Sequence, residues 1–198
     1  MIKFKKISQE KPYLLFKKKY YEALKANQKN IEAIAISSFN KENNEVDSRF
    51  VNLKFIESNK FIFFSNYNSP KFSAFKSHNQ VSALLFWSAT NTQIRMKAKI
   101  KKTSLKYNHE YFKKRSRKKN ALAISSNQSK PISSYEEIIK RYNDTYQEKN
   151  LLICPDYWGG FSFIPYYFEF WEGNNFRINK RLVYEKIEKH WKKCIIQP

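Results

Sequence analysis

The feature that most constrains the fold is a succession of short apolar and aromatic segments with few residues between them. Five of them, at residues 31–37, 49–55, 60–65, 81–87 and 93–102, have the length of β-strands. Such segments, whether continuously apolar or alternating with polar residues, are typical of strands. Most connections are too short for the helical crossover that parallel neighbours need. We therefore expect an antiparallel barrel or a strongly bent sheet rather than a doubly wound parallel sheet.

Segments with other patterns surround these strands. Four have the spacing of helices, and three more resemble strands near the end of the chain. With 198 residues the chain is long enough to bury its own core. We expect a mainly β, α+β fold in a single domain over residues 1–198, with residues 1–10 forming a mobile N-terminal extension. The helical segments are residues 11–27, 69–76, 104–114 and 133–149, and the strand segments are residues 160–171, 177–186 and 191–196.

The charge balance indicates an anionic partner. Lysine and arginine number 38 against 17 aspartate and glutamate residues, a formal net charge of +21. Nucleic acid, a membrane surface and phosphorylated small molecules are attracted by such a charge. The lysines are scattered, however, and only residues 113–119 form a dense patch. The aromatic residues lie mostly in apolar segments such as residues 61–64, where core burial explains them. A nucleic-acid-binding module is therefore the weaker alternative.

The sequence shows no targeting or metal-binding signal. No apolar run approaches the roughly 18 residues of a membrane span, and the basic start lacks the apolar region of a signal peptide. The two cysteines and three histidines share no metal-ligand spacing. We therefore expect a reduced, cytoplasmic protein with neither a metal site nor a membrane partner.

Local sequence motifs of catalysis are also missing. The chain matches no nucleophile–base triad, Walker loop or Rossmann fingerprint, and three glycines are too few for a glycine-rich phosphate loop. Any phosphate must therefore be held by side chains or helix N-termini. Arg177 and Arg181 lie four residues apart in the strand predicted over residues 177–186. We expect them to share a strand face, which makes an anion site plausible there.

Taken in order and spacing, a set of segments resembles the pyridoxamine 5′-phosphate oxidase family. The resemblance extends from residue 11 to residue 198, which is nearly the whole chain. Its most specific segments are Trp-Gly-Gly-Phe at residues 158–161 and Glu-Phe-Trp-Glu-Gly at residues 169–173. Further matching segments are Arg-Phe-Val-Asn-Leu-Lys at 49–54, Phe-Phe-Ser-Asn-Tyr-Asn-Ser-Pro-Lys at 63–71, Tyr-Phe-x-x-Arg at 111–115 and Gln-Ser at 128–129.

This resemblance implies an antiparallel split β-barrel with flanking helices, of the FMN-binding type, in a homodimer with FMN at the subunit interface. Arg49 and Lys71 are expected to contact the FMN phosphate, and Ser65 to add a hydroxyl group. Paired cationic donors suit a buried phosphate, because an unpaired buried charge is costly. The implied cofactor residues are Arg49, Phe50, Val51, Asn52, Leu53, Lys54, Phe64, Ser65, Lys71, Gln93, Gln128, Ser129, Trp171 and Arg181.

The resemblance also implies a substrate site and a reaction. Lys54, Tyr111, Arg115 and Arg177 are expected to bind the substrate. Tyr111 and Arg115, four apart on one helical face, are expected to grip its phosphate. Arg177 and Asn179 are the expected catalytic positions. The implied reaction oxidises pyridoxamine or pyridoxine 5′-phosphate to pyridoxal 5′-phosphate by hydride transfer to flavin N5, and O2 reoxidises the flavin to give H2O2.

Several positions depart from the family pattern. Asn179 stands where the family has a histidine, and asparagine does not become cationic near neutral pH. Pro70 and Thr92 stand in place of arginines, and Lys119 in place of a serine that contacts the substrate. The Arg-x-x-Tyr arm that covers the substrate in the family has no equivalent. These departures leave open a flavin oxidoreductase of the same fold that acts on another substrate.

Overall fold

Strands dominate the computed structural model, which describes residues 1–148 and 150–198. Within those residues it contains ten β-strands and five α-helices, so the fold is a sheet-rich α+β fold. The strands are β1 (Lys3–Lys5), β2 (Ala33–Asn40), β3 (Glu45–Asn52), β4 (Phe55–Glu57), β5 (Lys60–Asn66), β6 (Gln80–Trp87), β7 (Thr92–Lys102), β8 (Trp158–Glu172), β9 (Lys180–Ile187) and β10 (His190–Ile196). The helices are α1 (Lys11–Lys25), α2 (Pro70–Ser77), α3 (Leu105–Lys113), α4 (Arg117–Ser125) and α5 (Tyr135–Glu148).

The chain divides into two compact units. The first comprises Met1–Phe63, Ala74–Lys101 and Ser162–Pro198, and the second comprises Phe64–Ser73 and Lys102–Phe161. The expected single domain over residues 1–198 stays a prediction.

The sheet lies mainly in the first unit, and the ends of β5, β7 and β8 belong to the second. Its strand order is β1-β4-β5-β8-β7-β6-β2-β3, and β9 pairs with both β8 and β10. β2 pairs antiparallel with β3 and β6, as do β6 with β7 and β8 with β9. The short β1 pairs with β4 in parallel. The expectation of a mainly antiparallel sheet is therefore confirmed.

Aromatic side chains fill the core of the first unit. Phe61 of β5 stacks on Phe163 of β8 with the ring centroids 5.2 Å apart. Phe16 of α1 meets Phe61 edge-on at 5.0 Å, and all three side chains are fully buried. Pairs in these geometries stabilise a fold beyond the area that they bury. The buried face of α1 is thus fixed to the sheet.

The N-terminal residues are part of this unit. The backbone N–H of Lys3 donates to Lys54 O at 2.9 Å, and β1 adds a parallel strand beside β4. Ile2 and Ile7 are buried. Residues 1–10 thus have a paired strand where a loose extension was expected, and their mobility stays a prediction.

Arg177 does not lie in a strand. β9 begins at Lys180, and Arg177 occupies the preceding turn with a φ of 60°. Its backbone N–H donates to Asn174 O at 3.2 Å, which closes the turn. A left-handed residue cannot continue an extended strand. The prediction that Arg177 and Arg181 share a strand face is therefore wrong.

Arg115 does not lie on the same helix as Tyr111. α3 ends at Lys113, and the N–H of Arg115 donates to Phe112 O at 3.1 Å in a closing turn. Ser116 is extended and leads into α4, a helix that the sequence pattern did not predict. The prediction of one shared helical face is wrong, although the two side chains meet in another way described below.

Helices α3, α4 and α5 belong to the second unit. Buried Asn120 of α4 donates to the carbonyl oxygens of Phe112 at 3.0 Å and Leu151 at 2.7 Å, so its amide ties α3, α4 and the segment after α5 together. The helix predicted over 133–149 is α5, and the end of that prediction, Lys149, lies outside the described residues. In the part of the chain that is described, no helix has the length and apolarity to cross a membrane. The expected cytoplasmic location stays a prediction.

Candidate functional site

A buried lysine in the second unit forms a hydrogen-bonded group with other residues predicted to bind the cofactor. Lys71 exposes 7% of its surface, and its Nζ donates to Ser65 Oγ at 3.1 Å and Ser69 Oγ at 3.0 Å. Ser65 Oγ in turn donates to Gln128 Oε1 at 3.4 Å. Ser129, next in the chain, is exposed with a φ of 65°. An ammonium group beside two hydroxyl groups is a donor set that suits phosphate oxygens.

The turn before α2 sets the position of this lysine. Asn66 Oδ1 accepts the N–H of Asn68 at 2.7 Å, and Ser69 Oγ donates to Asn66 O at 2.7 Å. Pro70 is the first residue of α2, where its missing N–H leaves no helical hydrogen bond unmade. Lys71 follows in the first turn of the helix, so its ammonium group reaches back to the side chain of Ser69.

Four side chains of the second unit pack against one another. The ring of Phe64 stacks on Tyr111 at 4.0 Å and on Trp158 at 5.2 Å. The guanidinium carbon of Arg115 lies 4.3 Å from the centroid of the Trp158 ring. The predicted substrate residues Tyr111 and Arg115 are therefore connected through two rings, and the predicted cofactor residue Phe64 is one of them.

The guanidinium of Arg115 is partly buried and has a spare donor. Its Nη2 donates to Lys119 O at 3.3 Å, but its Nη1 is buried without a hydrogen-bond partner. Among the residues that the structure describes, no carboxylate forms an ion pair with it. Burial lowers the pKa of Arg115 from its ordinary value, against the opposing effect of Tyr111. An arginine nonetheless stays cationic near neutral pH, so this site retains a positive charge that an external anion can satisfy.

Arg49 of β3, in the first unit, is held by neighbouring strand residues. Its guanidinium donates to Ser38 Oγ at 2.7 Å and Ile36 O at 3.2 Å, and pairs with Asp47. A carboxylate therefore compensates the charge of Arg49. Of the predicted cofactor residues that follow it, Phe50 and Asn52 are exposed, Val51 and Lys54 are half-buried, and Leu53 is fully buried.

Arg181 of β9 is held by a buried carboxylate. Glu169 of β8 accepts hydrogen bonds from Arg181 Nε at 3.0 Å and Nη2 at 2.8 Å, and from the Tyr167 hydroxyl at 3.0 Å. Arg95 of β7 pairs with its second oxygen. Burial alone would raise the pKa of Glu169, but the hydrogen bonds and the arginine charges outweigh burial and lower it. Glu169 is therefore a charged group that orients two arginines.

The other predicted residues of the first unit lie on β7, on β8 and in the turn before β9. Gln93 lies on β7 opposite Phe86, and Trp171 lies on β8 opposite Arg181. Arg177 is exposed in its turn. Asn179 Oδ1 accepts the N–H of Asn174 at 3.2 Å, so this asparagine stabilises its own turn. Roles for these four residues stay predictions.

Several residues of these clusters are missing from the predicted site, among them Ser69, Trp158 and Glu169. Glu169 carries a readable signal, since it is an acid in an otherwise aromatic strand, and a buried carboxylate needs cationic partners. Trp158 and Ser69 carry no such signal. The role of Trp158 depends on Arg115, which lies in a turn that the pattern of the sequence did not predict, whereas Lys71 lies at the start of the helix predicted over residues 69–76.

Comparison with known sequences identifies similar proteins over most of the chain. Residues 158–198 match a family model described as the pyridoxine 5′-phosphate oxidase C-terminal dimerisation region. The pyridoxine/pyridoxamine 5′-phosphate oxidase of Cytophaga hutchinsonii is 37% identical over 168 residues, which cover 83% of this chain and 77% of that protein. The enzyme of the same name from Leptospira interrogans is 30% identical over 191 residues, which cover 94% of this chain and 88% of that protein.

Comparison with solved structures shows the fold. PhzG from Burkholderia lata 383, in complex with tetrahydrophenazine-1-carboxylic acid, has a TM-score of 0.89 at 24% identity, covering 94% of this chain and 92% of that one. A pyridoxamine 5′-phosphate oxidase-related, FMN binding protein from Nostoc punctiforme has a TM-score of 0.76 at 13% identity, covering 92% and 97%. The predicted fold class, the split barrel of FMN-binding proteins, is confirmed, whereas the homodimer stays a prediction.

Glu169→Gln tests the buried ion-pair group. We expect it to lower the free energy of unfolding near pH 7 by about 2 kcal/mol, because the buried carboxylate that binds the partly exposed Arg95 and Arg181 loses its charge. Since the folded-state pKa of Glu169 is lowered, the carboxylate stabilises fully above its unfolded value of about 4.3, and this stabilisation is lost as the pH falls through the lower folded value. Urea unfolding at falling pH should therefore show the two proteins converging.

The matched control is Glu172→Gln, which removes a more exposed carboxylate that pairs with Lys19. We expect it to change the free energy of unfolding by about 1 kcal/mol or less. A gap between wild type and Glu169→Gln that stays constant across the acid range would contradict the ionised state assigned to Glu169.

Proposed function

We propose that this chain, which belongs to the pyridoxine/pyridoxamine 5′-phosphate oxidase family, is an FMN-dependent oxidase of a phosphorylated B6 vitamer. The reaction converts pyridoxamine or pyridoxine 5′-phosphate to pyridoxal 5′-phosphate, with O2 as the electron acceptor. The observation that carries the proposal is Arg115, a partly buried cation that has a spare buried donor and lies on an aromatic ring. A phosphate dianion is the ligand that satisfies both its charge and its N–H groups.

The group around Lys71 supports FMN as the cofactor. The ammonium of Lys71 and the hydroxyls of Ser65 and Ser69 provide donors for the FMN phosphate, and Gln128 adds an amide beside them. When bound, FMN supplies the redox chemistry by accepting a hydride from the substrate and reducing O2 to H2O2. These residues bind and orient the phosphate group of FMN. Arg49 is also proposed to contact the FMN phosphate.

Tyr111 and Arg115 are the proposed ligands of the substrate phosphate. Burial raises the pKa of Tyr111, against the opposing charge of Arg115, so the phenol keeps its proton near neutral pH. A protonated hydroxyl can donate to a phosphate oxygen beside the guanidinium. Lys54 and Arg177 complete the proposed substrate residues. Asn179 can supply a hydrogen bond to the substrate but no proton at neutral pH, so its contribution is orientation.

A homodimer is the proposed assembly. It is supported by the match of residues 158–198, which form β8, β9 and β10, to a family model described as a dimerisation region. Light scattering of the purified protein tests this, and a mass of 23.9 kDa, that of a single chain, would contradict it.

An absorbance spectrum tests the cofactor and the substrate in one sample. We expect the purified protein to be yellow and to lose its flavin absorbance when pyridoxine or pyridoxamine 5′-phosphate is added without O2. Readmitting O2 should restore the colour and yield H2O2. A protein that stays colourless with added FMN excludes the cofactor, and bound flavin that neither vitamer bleaches excludes the substrate.

Lys71→Ala is expected to weaken FMN binding. Loss of one charged hydrogen bond to phosphate costs about 1.5–3 kcal/mol, which is roughly a tenfold to hundredfold increase in the Kd. Quenching of FMN fluorescence by the apoprotein measures this Kd. Lys76→Ala, which removes an exposed lysine from the same helix, is the matched control and should leave the Kd unchanged. Equal affinities for all three proteins would discredit the phosphate assignment.

Arg115→Ala is expected to raise the KM for the phosphorylated vitamer while the protein keeps its flavin. The predicted increase is at least about tenfold, since a charge-assisted hydrogen bond to phosphate is lost. Arg117→Ala, which removes an exposed arginine two residues away, should leave the KM within about twofold at constant ionic strength. A wild-type KM in Arg115→Ala would refute its role in binding the substrate.

A second candidate is a flavin oxidoreductase that acts on another ring compound. Asn179 favours it, because this residue stabilises its own turn and has no acid–base capacity near neutral pH. The complex of PhzG with tetrahydrophenazine-1-carboxylic acid is an example of a similar fold with a non-phosphorylated ring ligand. Flavin reduction by such a ring compound, together with inertness towards the phosphorylated vitamers, distinguishes this candidate from the first.

A further inference from the structure

We infer that Trp158 is a positioning residue for the anion-binding guanidinium of Arg115, an inference that rests on the phosphate role proposed above for Arg115. The side chain of Arg115 lies over the Trp158 ring, 4.3 Å from its centroid, whereas the edge-packed Phe112 ring is farther away at 5.4 Å. Trp158 is 5% exposed, so its ring is a fixed surface. The indole face is the strongest aromatic partner for a cation.

Two further aromatic rings pack against the indole of Trp158. Phe64 stacks on it with the planes 8° apart, and Phe112 packs against it edge-on with centroids 4.9 Å apart. The thiol of Cys154 donates to the backbone carbonyl oxygen of Trp158 at 3.7 Å, which holds the main chain at this residue. Because close-packed neighbours on these sides restrict its rotation, the indole determines where the guanidinium can lie.

The backbone next to Trp158 is equally restricted. Its N–H donates to Pro155 O at 3.0 Å. A Cβ atom at Gly159 would collide with the Tyr67 hydroxyl and the side-chain amide of Asn108, so the strand passes these groups more closely than any other residue would allow. The start of β8 is thus fixed in place, and the indole with it.

An aromatic ring that orients a guanidinium leaves its positive charge in place, whereas a carboxylate offsets that charge. Arg49 pairs with Asp47, and Arg181 shares Glu169 with Arg95, so each of those cations already faces a carboxylate that offsets part of its charge. A π face attracts a guanidinium without adding a negative charge. Arg115 is therefore oriented without a carboxylate that cancels its charge, so its guanidinium can attract an incoming phosphate.

A double-mutant cycle with inorganic phosphate as the probe tests this inference on the flavin-loaded protein. Calorimetry gives the Kd for phosphate in wild type, Trp158→Leu, Arg115→Ala and the double variant. We expect Trp158→Leu to weaken phosphate binding about tenfold and to raise the KM for pyridoxine 5′-phosphate by a similar factor, with kcat and flavin content unchanged. In the Arg115→Ala background the same change should have no further effect.

Trp158→Phe keeps a smaller ring and should weaken phosphate binding about twofold to threefold, so it carries the test if Trp158→Leu does not fold. The matched control is Trp87→Phe, the same change at a buried tryptophan of the first unit, which should leave the phosphate Kd unaltered. Wild-type phosphate affinity in the Trp158 variants overturns the inference. The inference is also overturned if Trp158→Leu lowers the phosphate affinity of the Arg115→Ala variant as much as it lowers that of wild type, because this would indicate a general packing role.

The two proposals fail in different ways. If wild type binds phosphate and the cycle shows coupling, but no B6 vitamer reduces the flavin, the proposed function fails and the role of Trp158 stands. If the vitamers are oxidised but the cycle is additive, the proposed function stands and the role of Trp158 fails.

Discussion

A buried carboxylate fixes the part of the sheet on which much of the first unit depends. Glu169 exposes 2% of its surface on β8, and it binds Arg95 of β7 and Arg181 of β9. A carboxylate in such a position is tolerated only with its cationic partners in place. A shift of one residue in register would turn Glu169 to the opposite face and separate it from both arginines. The relative positions of Gln93, Trp171 and Arg181 therefore depend on this one ionised group.

The two units hold their cations by different chemistry. In the first unit, Arg49 pairs with Asp47 and Arg181 shares Glu169 with Arg95, so a carboxylate offsets part of the charge of each. In the second unit, Lys71 donates to two hydroxyl groups and Arg115 lies on an indole. Neutral partners orient a cation without cancelling it, which is the condition for binding a phosphate dianion. The high net charge of the chain is thus less informative than the partners of these few side chains.

The sequence predicts the strands far better than it predicts the site. A short apolar segment is a local property, and such segments predict β6 and β7 nearly to the residue. The prediction for Arg177 and Arg181 was wrong because the turn that follows Gly173 extends to Arg177, and β9 begins only at Lys180. Arg115 was assigned to a helix that ends two residues earlier. Its ring partner, Trp158, is 43 positions away in the chain, and no local pattern encodes a contact of that kind. The family resemblance predicted which residues form the site, and the structure shows which of them contact one another within each unit.

The three glycines of this chain all lie where a Cβ atom would collide with a neighbouring side chain. None of the three has a positive φ in the described residues, where asparagines such as Asn27, Asn30 and Asn91 take left-handed positions instead. Asparagine tolerates that conformation because its side chain can hydrogen-bond locally. Glycine is used where a Cβ atom would collide with a neighbour, as at Gly173 against Trp171 and Asn91. Close approach, not backbone freedom, is therefore what the glycines of the Trp-Gly-Gly-Phe and Glu-Phe-Trp-Glu-Gly segments provide. Each lies one or two residues after a tryptophan, and each fixes the strand from which that tryptophan projects.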